Sequence, residues 1–162
     1  MTLTRRCLLA TGALLAIAVP ARAQERSDSE ILEDLLVLEG RLVTAYEAAL
    51  RRDVIEAGLG ETLRDQEREH VRGLEQALGA AGGGSAKATV PEPALGRALR
   101  GRAAFTAYAL ELEREAVSAY IEAASGIGRE GLRQPLGSIL ACEAAHQVAL
   151  RASVDDSLLE VE

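Results

Sequence analysis

The chain has 162 residues, a formal charge of −7, two histidines, two cysteines and very few aromatic side chains. An acidic chain without a basic stripe is a poor match for nucleic acid or an anionic membrane, so neither is expected as a partner. Cys7 and Cys142 form no CxxC pair, which excludes a rubredoxin-type iron centre within the chain.

Residues 1–23, "MTLTRRCLLATGALLAIAVPARA", read as an export signal: a basic start, an apolar run from Cys7 to Val19, and a small-x-small exit at Ala21-Arg22-Ala23. The run is too short to span a bilayer, so no stable membrane anchor is expected after cleavage. The stretch "TRRCLL" resembles a twin-arginine signal, with Leu8 and Ala10 where many such signals carry Phe and Lys; an ordinary secretory signal is the alternative. The expected product, residues 24–162, would be periplasmic or extracellular. Losing Arg5, Arg6 and Arg22 takes its formal charge from −7 to −10. Its one cysteine, Cys142, is expected to be buried or to pair between chains, which leaves a homodimer open.

From residue 24 onward Ala, Leu, Glu and Arg dominate, and apolar residues recur at three- and four-residue spacing, so a single all-α domain is expected. The first helix starts at the capping box Ser27-x-x-Glu30 and runs to about Arg52. A second covers "ETLRDQEREHVRGLEQAL" and ends in a glycine cluster. Residues 79–101, rich in Gly and Pro, read as a crossover long enough to span a bundle. A third helix contains "AAFTAYALELEREAVSAYIEAA" and stops at "SGIGREG". The fourth is expected to begin near Pro135, a residue tolerated in a first helical turn, and to run to about Val154. Only "DDSLLEVE" follows it, so no fifth helix, and no storage cage built around one, is expected. Short turns make antiparallel neighbours, which predicts a four-helix bundle of two hairpins joined by one long crossover.

The halves repeat. "LEGRLVTAY" (Leu38 to Tyr46) matches "LEREAVSAY" (Leu112 to Tyr120), while Leu63, Glu67, His70 and Leu74 run in step with Ile139, Glu143, His146 and Leu150. Both histidines of the chain therefore stand in Glu-x-x-His. Spacings of four, three and four residues share one helix face, so Glu67, His70, Glu143 and His146 point inward. Glu39 and Tyr46 lie two turns apart on one face, as do Glu113 and Tyr120. Two facing residues of a hairpin have the turn midway between them: Gly128 for Glu113 and Glu143, Asp53 for Glu39 and Glu67. The six side chains Glu39, Glu67, His70, Glu113, Glu143 and His146 should thus meet at one height. Four buried carboxylates need compensation, and two divalent cations supply +4 against −4. Oxygen-rich ligands with one imidazole per ion suit iron or manganese better than a closed zinc site.

This pattern, one Glu from each of two helices and Glu-x-x-His from each of the others, resembles the ferritin-like superfamily, in particular its small exported members. The resemblance spans roughly Ile31 to Val154. It implies two Fe or Mn ions per chain, with Glu39 and Glu113 as terminal ligands, Glu67 and Glu143 bridging, and His70 and His146 each on one ion. It places Tyr46 and Tyr120 beside the ligating carboxylates, as hydrogen-bond donors or one-electron donors. Many relatives have Asp just before the Glu of Glu-x-x-His, orienting a histidine across the bundle; Gln66 and Cys142 stand there in this chain, and the thiol is the poorer acceptor. The function implied is redox chemistry on O2, peroxide or ferrous iron. Sequestering metal without turnover and a metal-free helical scaffold for a partner are the alternatives.

Overall fold

The structure, a computed structural model, describes residues 26–82 and 93–159; the expected export signal lies outside the described residues, as does part of the expected crossover, residues 83–92. Five helices are described, α1 (Asp28–Arg52), α2 (Ala57–Ala81), α3 (Pro93–Ala98), α4 (Arg102–Gly126) and α5 (Glu130–Leu159). Four of them form the expected all-α bundle. None of the described helices is long and apolar enough to cross a membrane.

Local chemistry sets the ends of the first hairpin. Ser27 and Glu30 form the predicted capping box, each side chain meeting the other residue's backbone N–H. Asp53 closes α1 in the left-handed region at φ 53°, its amide donating to Ala49 and Leu50. The α2 helix starts at Ala57, ahead of the expected "ETLRDQ", because the Glu56 carboxylate accepts the amides of Gly58 and Leu59. In this tight turn a Cβ on Gly60 would come within 2.8 Å of Leu50 Cδ2 and Ile55 Cγ2, so only glycine fits without a shift.

The second hairpin departs from the sequence reading at its turn. The α5 helix begins at Glu130 and carries Pro135 inside it, not in its first turn. Proline there removes one amide donor, and the early start is held from across the bundle. The Asp28 carboxylate accepts the amides of Gly128 (2.7 Å) and Arg129 (3.0 Å), while Arg129 Nη1 donates to the Ala80 carbonyl near the end of α2 (3.0 Å). An acceptor at a helix start satisfies donors with no partner inside the helix. The helix also runs on past Val154, to Leu159. Within the expected crossover, α2 continues to Ala81 and Gly82 caps it at φ 80°. The short α3, which the glycine- and proline-rich composition hid, packs against α4 and buries Ala98.

Packing pairs α1 with α2 and α4 with α5, and sets α1 against α4. The cross-pairs Arg41–Glu115, Tyr46–Glu113 and Glu39–Tyr120 show that α1 and α4 run antiparallel. The link from α2 to α4 must therefore return the length of the bundle, as the predicted topology requires.

Two apolar clusters fill the bundle. One gathers Leu42, Tyr46, Leu63, Phe105, Leu112 and Leu150; the other gathers Leu32, Leu35, Leu74, Tyr120, Ile127 and Leu136. They draw on opposite ends of every long helix. Between them, at mid-height, lies a band of buried polar side chains: Glu39, Glu67, His70, Glu113, Glu143 and His146.

Replacing Asp28 by Ala is expected to cost about 1 kcal/mol, the usual worth of a lost helix cap, lowering the melting temperature by a few degrees. Asp28→Asn, which keeps one acceptor oxygen, should recover part of the loss. An unchanged melting curve for Asp28→Ala would show that α5 needs no cap from α1.

Candidate metal centre

Each long helix contributes its buried groups through helical periodicity. The four glutamates are fully buried, and His70 and His146 nearly so. All six residues singled out in the sequence come together in the middle of the bundle.

They fall into two quartets, Glu39, Glu67, His70 and Glu143 on one side and Glu67, Glu113, Glu143 and His146 on the other, in each of which one donor atom per residue lies within 4.8 Å of the rest. Glu67 and Glu143 belong to both. His70 Nδ1 stands 2.8 Å from Glu143 Oε1, 3.1 Å from Glu67 Oε2 and 3.5 Å from Glu39 Oε2. His146 Nδ1 stands 2.9 Å from Glu67 Oε1, 3.5 Å from Glu113 Oε2 and 3.7 Å from Glu143 Oε2. Each imidazole thus faces the α1 or α4 glutamate of its own hairpin, the glutamate of its own helix, and the shared glutamate of the other hairpin. The two rings lie nearly parallel, 6.0 Å apart.

Glu39 Oε2, Glu67 Oε1, Glu113 Oε2, both Glu143 oxygens and His146 Nδ1 are buried without a hydrogen-bond partner. Native interiors rarely leave so many polar atoms unsatisfied. Carboxylate oxygens and a bare imidazole nitrogen all present lone pairs, so only positive charge, as protons or metal ions, can sit among them. Two adjoining sets of oxygen donors, each with one nitrogen, fit a pair of divalent cations.

Without metal, protons do this work. Burial raises Glu39 well above the usual carboxylate range and pushes Glu113 up to about 8. Burial alone would raise Glu67 and Glu143 and lower both histidines, but their mutual attraction wins. Glu67 stays below the usual range and Glu143 at about 2, while His70 rises to about 12 and His146 is raised as well. Near neutral pH that leaves two imidazolium ions, two carboxylates and two neutral carboxyls, a cluster with no net charge.

Tyrosines tie the halves together. Tyr46 Oη donates to Glu113 Oε1, and Tyr120 Oη donates to Glu39 Oε1 at 2.5 Å. Each phenol, fully buried, reaches from one hairpin to a buried carboxylate of the other. Burial and the adjacent carboxylates raise both phenols above their ordinary range, so they remain protonated.

Beyond the ligand candidates the halves differ. Gln66 Oε1 lies 2.9 Å from His146 Nε2 across the bundle. Cys142, expected to face the histidine of the opposite hairpin, instead has its Sγ 3.3 Å from the same His146 Nε2, one turn along its own helix. The four-residue spacing of Cys142 and His146 carried that signal in the sequence. Cys142 is partly buried and free.

A family model described as a ferritin-like domain matches residues 27–156. No curated protein and no solved structure matches the chain.

The proton balance fixes how metal-free stability depends on pH. Glu39, Glu113, His70 and His146 hold protons more tightly in the folded chain, so their contribution is complete below the unfolded values of 4.5 and 6.5. It is lost as pH rises through the folded values, about 8 for Glu113 and about 12 for His70. Glu67 and Glu143, held below the usual range, lose theirs only as pH falls below 4.5, Glu143 on approaching about 2. The melting temperature with chelator present should therefore fall steadily from pH 5 to pH 9, and Glu113→Gln should flatten that fall. A melting temperature constant or rising over the interval would contradict the assignment.

Proposed function

Because the chain belongs to the ferritin-like domain family, we propose that it is an exported dinuclear iron or manganese protein acting on O2, peroxide or ferrous iron in oxidase- or peroxidase-like chemistry. The observation that carries this reading is the pair of buried quartets sharing Glu67 and Glu143. Glu39 with His70 would serve one ion and Glu113 with His146 the other, with Glu67 and Glu143 between them. When bound, such ions supply Lewis acidity and electrons to a small oxidant.

The chain's own contributions follow from its geometry. The apolar clusters above and below the polar band keep bulk water away, which strengthens every electrostatic interaction inside. Tyr46 and Tyr120 hold Glu113 and Glu39 by one oxygen each, leaving the other oxygen aimed inward and unpartnered. The same two phenols are the proposed one-electron donors. Losing an electron, each can pass its proton along the existing hydrogen bond to the carboxylate, so no charge is stranded in the core. Export as a folded protein would let the ions be loaded beforehand. Sequestration of metal without turnover would use the same ligands and differs only in leaving the oxidant untouched.

Protein recovered from the exported fraction of its own cells should carry close to two iron or manganese ions per chain and should consume added peroxide. Tyr46→Phe with Tyr120→Phe should keep the ions while slowing peroxide loss by about a hundredfold or more, the scale on which positioned proton-transfer groups act. Recovery with neither metal, or only from the cytoplasm, would overturn the proposal; full metal content with no peroxide loss would reduce it to metal sequestration.

A further inference from the structure

The hairpins repeat in every ligand candidate and differ in what stands behind the histidines. Gln66 and Cys142 occupy equivalent positions, each just before a glutamate shared by both quartets. In a symmetric centre each would support the histidine of the opposite hairpin. Gln66 does so, 2.9 Å from His146 Nε2, but Cys142 turns to the same His146 Nε2 on its own helix, at 3.3 Å. The His146 side chain is 3 % exposed and that of His70 10 % exposed.

Building on the metal reading above, we propose that Gln66 is a positioning residue that makes the two metal positions unequal: the Glu113–His146 position holds its ion tightly, and the Glu39–His70 position is the exchangeable one. An amide oxygen accepting from Nε2–H fixes the ring in the tautomer whose Nδ1 lone pair is free, and Nδ1 is the atom that faces the carboxylates. The bond also makes the nitrogen a better donor and removes the freedom of the ring to turn. A thiol accepts weakly, so Cys142 adds little where Gln66 already holds the proton. His70 is the more open to solvent, at the side of the centre where an ion or small reactant can exchange with least rearrangement.

Titration of the metal-free chain with Co2+, followed by calorimetry and visible absorption, tests this. Two steps are expected, separated by about 10- to 100-fold in affinity, the usual effect of a supporting hydrogen bond on a metal-bound histidine. Glu113→Gln should remove the tighter step and Glu39→Gln the weaker. Gln66→Leu should weaken the tighter step by about tenfold or more and leave the weaker one in place, while Gln66→Glu, which keeps an acceptor oxygen, should restore the separation. Two equal steps in the parent chain, or a Gln66→Leu variant that binds as the parent does or loses affinity equally at both steps, would overturn the proposal and leave the dinuclear reading standing. A parent chain that takes up no Co2+ would overturn both.

Discussion

Four carboxylates and two imidazoles converge in the dry middle of the bundle, and the requirement that their charges cancel governs the rest of the structure. Isolated buried charges cost several kcal/mol each after relaxation, far beyond what the surface ion pairs of this chain return. Neutrality can be reached in two ways. Four protons can be distributed as two imidazolium ions and two neutral carboxyls, the arrangement that the burial and mutual contacts of these groups favour. Two divalent cations can do the same with every ligand deprotonated. Either way the lone pairs that face one another at Glu67, Glu113, Glu143 and His146 gain positive charge between them.

The surrounding architecture is arranged about that band. Apolar clusters close it at both ends, and the reciprocal tyrosine–glutamate bonds lock one hairpin against the other at its height. The Arg41–Glu115 pair crosses the same α1–α4 contact, with Arg41 partly buried and Glu115 about half exposed, and a pair so open to water is worth little. The buried phenols therefore do more to fix the register of the two hairpins than the ion pair does. The internal repeat explains why the centre has two similar halves, and Gln66 marks where that similarity ends.

Much of this was legible in the sequence because the chemistry is periodic. Glu-x-x-His twice, Glu-x6-Tyr twice, and turns falling midway between facing glutamates suffice to place six side chains at one height. The Ser27–Glu30 capping box was legible for the same reason, since both partners lie within one turn. What escaped depends on contacts between distant residues. The start of α5 at Glu130 needs Asp28, about a hundred residues earlier in the chain, as its cap, and Pro135 pointed to a later start. The short α3 is stabilised by packing on α4, which composition alone does not reveal. Cys142 turned to its own helix instead of across the bundle, a choice decided by local i,i+4 geometry.

The central claim is that metal and protons compete for the same buried charge balance. Titration calorimetry of the metal-free chain with Mn2+ near pH 7, repeated in buffers of different ionisation enthalpy, measures that competition as protons released per ion bound. Replacing two imidazolium protons and two carboxyl protons by two cations predicts a release of roughly four protons for the pair. A release close to zero would mean that the ions sit on already ionised surface carboxylates, and would contradict the proposed dinuclear centre.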